Sequence, residues 1–185
     1  MSTPAASTAA HYDIDSAHSG AGFKVRHMMI AHVKGEFTKV SGTVDFDPAN
    51  PAASKVDVTI DAASIHTREP QRDGHLRSAD FLDVEKFPTI TFRSTEVVGA
   101  GKDAYEVVGD LTIHGVTQQI ALQVDSVTTE AKDPWGNLRR GAAASVTINR
   151  KDFGLHYNSP LETGGFLIGD DVHITIDVEM VRKAG

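Results

Sequence analysis

Cysteine is missing from this chain of 185 residues, which excludes disulfides, thiolate zinc sites and cysteine nucleophiles. Aromatic residues make up only 6% of it, with a single tryptophan, Trp135. No apolar run approaches the ~18 residues that a membrane-spanning helix needs, so no membrane span is expected. Lysine and arginine form no basic run, and the net charge is −7. That balance argues against nucleic acid, and against an anionic membrane surface, as the main partner. The opening MSTPAASTAAH has neither a basic cluster nor an apolar core segment. Residues 1–10 therefore read as a disordered tail and not a signal peptide, and the chain reads as a soluble cytoplasmic protein.

Catalytic signatures are equally scarce. No G-x-S-x-G elbow is present for a nucleophilic serine. Gly99-Ala100-Gly101-Lys102-Asp103-Ala104 mimics a dinucleotide-binding turn, but that motif works only where a helix follows to hold the pyrophosphate. Tyr105-Glu106-Val107-Val108 follows here, which is a strand, so the glycines read as a hairpin turn. Nine histidines invite a metal hypothesis. They form no H-x-H or H-E-x-x-H, and His27 and His32 would fall on opposite faces of one strand. The pairs Asp13/Asp15, Asp45/Asp47 and Asp170/Asp171 lack the glycine and distal glutamate of an EF-hand loop and read as turn and strand-exterior acids. No metal, no cofactor and no catalytic residue is expected.

Alternation is what the chain has in abundance. In GDLTIHGVTQQIALQV, residues 109–124, apolar side chains recur at every second position on both sides of His114-Gly115. Such a pattern is an antiparallel hairpin with one buried face. Ile113 and Ile120 share that face only across an even-numbered connection. Val116-Thr117 is poor turn chemistry, so a loop over residues 115–118 is expected. Similar alternation marks strands at Phe23–Val25, Val33–Phe37, Val40–Phe46 and Val56–Ile60, and again at Ile90–Phe92, Tyr105–Leu111, Ala142–Ile148 and Val172–Met180. The parity change between Phe37 and Val40 demands a tight turn or a bulge near Thr38-Lys39.

Residues 65–88 break the rhythm. Pro70 suits a first helical position, and Leu76, Ala79, Leu82 and Phe87 can supply the apolar side of one or two short helices capping one end. The charged set Arg68-Glu69, Arg72-Asp73, Arg77 and Asp80 reads as pairs on a solvated helix face. Its functional alternative is a polar rim where Arg68, His75 or Arg77 meets a ligand head group. About eight strands and little helix make the fold all-β, an antiparallel barrel or sandwich.

Several segments together resemble the YceI-like family, lipocalin-like barrels that bind polyisoprenoid lipids. They are Tyr12-Asp13-Ile14-Asp15-Ser16-Ala17-His18-Ser19, Phe23-Lys24-Val25-Arg26-His27, RDGHLRSADFLD at 72–83 with Lys86-Phe87-Pro88, residues 109–117, TINRKDFG at 147–154, and Gly169-Asp170-Asp171-Val172. The resemblance runs from His11 to Arg182 in the family's order and implies an extended antiparallel β-barrel over residues 11–185, hollowed by an apolar tunnel and often a homodimer. Barrels of about eight strands can enclose one ligand. Parity then assigns a tunnel lining of Val25, Phe37, Val44 and Ile60 from the first half. From the second half it assigns Phe92, Leu111, Ile113, Leu122, Ala144, Val146, Ile148 and Ile174. The function implied is transport, storage or sequestration of a polyisoprenoid, an isoprenoid quinone or a fatty-acid-like lipid. The rivals are an enzyme working on such a lipid at the barrel mouth, with His75 and Arg68 as its titratable groups, and an interaction protein with a solid core.

Overall fold

The hairpin at His114-Gly115 sets the register of half the barrel. In the computed structural model, which describes residues 8–184, strand β8 (Ala104–Ile113) and strand β9 (Val116–Asp125) pair Ile113 with Val116, Leu111 with Gln118 and Gly109 with Ile120. The loop is thus His114-Gly115 itself, not residues 115–118. Both residues take the left-handed backbone, His114 at φ 54° and Gly115 at φ 73°, which is the tight two-residue turn whose twist matches paired strands. Ile113 and Ile120 share a face as expected, but each has a different partner.

The remaining strands are β1 (Ala10–Ile14), β2 (Gly20–His27), β3 (Ala31–Phe37), β4 (Val40–Phe46), β5 (Lys55–Asp61) and β6 (Ile65–His66). They are followed by β7 (Thr89–Gly101), β10 (Ala131–Lys132), β11 (Leu138–Asn149) and β12 (Ile168–Arg182). β1 and β2 dock on the same edge of β12, at its end and its beginning respectively. β4 continues the sheet from β1, and β3 continues it from β2. β1 with β2, and β3 with β4, thus each form one long strand with a corner in it. The first corner is the short 3-10 turn Ser16–His18. The second is Thr38-Lys39, a bulge-like bend and not a hairpin turn, because β3 and β4 pair with other strands. With β11 paired along nearly the whole of β12, the result is a closed, all-antiparallel barrel of eight strands.

β1 was not foreseen in the alternation, and it redraws the expected tail. Ala10 pairs with Phe46, and the Thr8 hydroxyl donates to Asp47, so Thr8 and Ala10 are part of the fold. The rest of that expectation lies outside the described residues. The glycine-rich 99–104 segment is a hairpin turn at Lys102-Asp103, with Gly101 opposite Ala104.

One α-helix, α1 (Pro70–Arg77), interrupts the strands, with Pro70 in its first turn. Its charged residues are not arranged as a solvated ladder. Glu69 caps the helix, accepting from Gln71 N–H and Arg72 N–H. Asp73 is buried and accepts from Thr67 N–H at 2.8 Å and from the Thr67 hydroxyl. Burial works against its ionisation, but those two bonds outweigh it and hold the carboxyl below its ordinary value. The apolar side also differs: Ala79 is exposed, while Phe81 is buried beside Leu82.

Candidate functional site

The barrel is solid at one end and hollow at the other. At the solid end Tyr12, Phe46, Val127 and Met180 pack together. The Tyr12 hydroxyl donates to Glu130 at 2.5 Å and accepts from Arg140 Nε at 2.9 Å, so its one polar atom is satisfied in a core where an unpaired group would be costly. Arg140 also lies over the Phe46 ring at 5.2 Å.

Toward the other end, the inward side chains enclose a cavity of about 370 Å³. A single water needs only ~10–15 Å³ measured this way, so this is a chamber and not a packing defect. Its wall is apolar: Phe23 and Val25 from β2, Val33 and Phe37 from β3, Val58 and Ile60 from β5, Ile90 and Phe92 from β7. The second half of the wall is Leu111, Ile113, Ile120 and Leu122 from the β8–β9 hairpin, with Val146 and Ile148 from β11 and Val172, Ile174 and Ile176 from β12. Glycine helps to keep it open. A Cβ at Gly35 would collide with the Phe23 ring directly across the pair, so the ring lies along the wall instead of across the chamber.

Ten of the residues that alternation assigned to a lining stand on this wall: Val25, Phe37, Ile60, Phe92, Leu111, Ile113, Leu122, Val146, Ile148 and Ile174. Val44 and Ala144 do not. Val44 packs into the solid end, against the Tyr12 cluster and the neighbouring Ile14–Val40 cluster. Ala144 does fall on the inward side of β11, but between Val146 and Ala142 and opposite Val124 and Ile176. It marks the floor where the chamber closes. Parity reports which face a residue is on, and says nothing of its depth along the barrel axis.

The three expected head-group residues separate in the same way. His75 lines the chamber. Its Nε2 is 2.8 Å from Asp80 Oδ2, and its ring meets Phe81 at 5.0 Å and Tyr157 at 4.9 Å, both edge to face. Arg68 is exposed and off the chamber. Arg77 is spent on the frame, donating to the Ala63 carbonyl through Nε and to the Ile65 carbonyl through Nη2, each at 2.9 Å. In their place stand Arg72 and Arg150. Arg72 is clamped on Thr67, Nε to the hydroxyl and Nη2 to the carbonyl, each at 2.8 Å. Arg150 is 3% exposed, and its guanidinium gathers the carbonyls of Gly169, Leu155 and Tyr157 at 2.6–2.9 Å. Desolvation by burial lowers its pKa from the ordinary arginine value. Neither arginine could be picked out by alternation, because each lies outside the alternating strands and is fixed by its hydrogen bonds, to Thr67 for Arg72 and to Leu155, Tyr157 and Gly169 for Arg150.

A third constellation lies outside the chamber. Asp15, His18 and Glu179 bring ligand-type atoms within 4.8 Å of one another, a grouping that spans most of the sequence and so forms no local motif. Arg139 already holds it: Nη1 reaches Asp15 at 2.7 Å and Glu179 at 2.9 Å, and Nε reaches Asp133 at 2.6 Å. The guanidinium supplies the positive charge that a metal would bring.

Comparison with known proteins agrees with this geometry. The family model for the YceI-like domain matches residues 12–180. A UPF0312 protein of Vibrio cholerae is 45% identical over 157 residues, covering 84% of this chain and 82% of its own. A UPF0312 protein of Pectobacterium atrosepticum is 41% identical over 172 residues, covering 93% and 85%. Among solved structures, Burkholderia cenocepacia BcnA superposes with a TM-score of 0.79 at 26% identity, covering 90% of this chain and 98% of its own. A Campylobacter jejuni YCEI protein superposes at 0.72 with 33% identity, covering 86% and 90%. A polyisoprenoid binding domain from Saccharophagus degradans shares the fold at a TM-score of 0.69 and 16% identity, covering 93% of this chain and 98% of its own.

Proposed function

The chain belongs to the YceI-like domain family, and from that premise we propose that it holds the hydrocarbon of a long apolar lipid in the chamber, as a carrier, reservoir or sequestering protein. The observation that carries this reading is a chamber of about 370 Å³ whose wall is almost wholly aliphatic and aromatic. Burial of hydrocarbon contributes ~0.8 kcal/mol per CH₂ before ordering costs, so a long chain needs few polar contacts to be retained. Polyisoprenoids and isoprenoid quinones are the ligands of first choice. The Saccharophagus degradans domain of the same fold is a polyisoprenoid binder, and a fatty acid would meet the same wall. His75, with Phe81 and Tyr157 around it, is where a head group would rest.

Binding without catalysis is the better reading of the polar groups. Arg72, Arg77 and Arg150 are all committed to hydrogen bonds within the frame, and a general acid or base needs reach and freedom at the reacting atom. Organic extraction of gently purified protein, followed by mass spectrometry, tests the proposal. A prenyl or acyl lipid at near-stoichiometric amounts is expected. Extracts that are empty across several preparations would overturn the binding reading, and turnover of an added prenyl quinone would replace it with the enzymatic one.

A further inference from the structure

We propose that the hollow end of the barrel docks on an anionic lipid bilayer through the tip of the β2–β3 hairpin. The tip is Met28-Met29-Ile30, and all three side chains are exposed, Ile30 to 80%. Phe166, also exposed, is its neighbour across the loop, because Met28 N–H donates to the Leu167 carbonyl at 2.8 Å. Both segments run straight into the chamber wall through His27 and Leu167. The apolar tip is therefore continuous with the chamber's edge.

The choice of residues at the tip is costly. Met28 and Met29 hold φ of 51° and 61°, a backbone region that favours glycine or asparagine and burdens ordinary side chains. The Met29 sulfur lies against Gly165, where a Cβ would meet it. Exposed methionine and isoleucine in a strained turn point to a surface that receives them.

Charge names the surface. Lys24 stands directly between Lys34 and His173 across three paired strands, and Arg26 is opposite His32. Like charges directly opposite are destabilising in a sheet, and among the described residues no carboxylate lies within 4.0 Å of Lys24, Arg26 or Lys34. His32 is held below its ordinary value, by desolvation first and then by Arg26 and Lys24. Glu36 follows Lys34 two positions on in β3 and Asp171 precedes His173 by two in β12, while Asp170 is taken by Lys151 at 3.1 Å. A basic patch in a chain of net charge −7 was invisible along the sequence because three strands assemble it. A second copy is the poorer occupant, since its own lysines would face these. An anionic interface accepts apolar side chains and cations together.

Docking and lipid content fail separately, so each has its own readout. Flotation with vesicles of phosphatidylcholine alone, or of equimolar phosphatidylcholine and phosphatidylglycerol, tests docking on the full chain. Preferential, salt-sensitive flotation with the anionic vesicles is expected. Lys24→Glu with Lys34→Glu should weaken it roughly tenfold or more. Ile30→Ser with Phe166→Ser should abolish it while leaving extracted lipid unchanged. Trp135→Ala, at the opposite end of β12 and equally exposed, should float like the parent, and thermal unfolding confirms that each variant is folded. A parent protein that stays with the unbound fraction would overturn the proposal. So would an Ile30/Phe166 variant that floats unchanged, or a dimer that this variant dissociates.

Discussion

Arg150 donates through Nη1 to the Tyr157 carbonyl at 2.9 Å, and the same nitrogen reaches the Leu155 carbonyl at 2.6 Å. One buried guanidinium thereby ties the turn after β11 to the loop that borders the chamber. Nε extends the tie to Gly169 at the start of β12. Asp170 stands 3.8 Å from Nη2, an ion pair without a hydrogen bond. The gain lies in satisfying several carbonyls at once, which only a planar five-donor group can do.

Arg150→Leu should therefore leave three carbonyls without their donor and cost about 3 kcal/mol or more. Arg150→Lys keeps the charge but lacks the fork, and should recover little of the loss. Urea unfolding gives the stability, and limited proteolysis should show cleavage moving into residues 155–167. A lysine variant as stable as the parent would refute this role.

Acid should expose a second arginine. The hydrogen bond from Arg139, followed by that from His18, holds Asp15 at about 2, against an ordinary value of 3.8. A lowered folded-state pKa contributes stability above the unfolded value, and that stability is lost as pH falls through the folded one. Burial raises Asp133, but its bonds from Arg139 and Asn137 outweigh that and hold it lower still. Arg139→Gln should accordingly be less stable than the parent near neutrality, with the difference narrowing as pH falls from about 4 toward 2. Chemical denaturation at stepped pH measures the difference, and one that stays constant across that window would contradict the assignment.

Strand alternation made the barrel and most of its wall legible, because a two-residue period records directly which side chains face inward. Three things lay beyond it. The turn at His114-Gly115 depends on a histidine accepting φ 54°, a conformation its sequence does not advertise. Val44 and Ala144 face inward but at the packed end, and depth is set by how neighbouring strands stagger. Arg150 and the Lys24–Lys34 pair acquire their meaning only from partners that the fold brings to them, Gly169 for the arginine and the facing strand for each lysine. Family resemblance supplied what periodicity could not, that part of the interior is hollow.

Gly115 offers a local test of the turn. Its φ of 73° is unfavourable for any side chain, and a Cβ there would meet Phe87 Cε1 at 2.5 Å. Gly115→Ala should cost about 1–2 kcal/mol, whereas His114→Asn, a residue at ease in the left-handed region, should be tolerated. Thermal unfolding of the two variants discriminates this turn from a loop over residues 115–118. In such a loop Gly115→Ala would pass almost unnoticed.

Val146 and Ala144 give the sharpest test of where the hollow begins. They are successive inward positions on β11, but Val146 lines the chamber and Ala144 does not. A phenylalanine at Ala144 would be driven against Val124 and Ile176, its neighbours on either side. Overpacking of that kind costs about 1–3 kcal/mol. Val146→Phe should instead extend its ring into empty volume, so lipid-free protein should unfold near the parent temperature while its extract contains much less lipid. Calorimetry of extracted protein and mass spectrometry of the extract measure the two quantities on the same sample. The expected result is a crossed pattern, with Ala144→Phe losing stability and Val146→Phe losing lipid. Equal destabilisation by both would mean that the interior is solid at Val146 as well, and lipid content unchanged in Val146→Phe would place the ligand elsewhere.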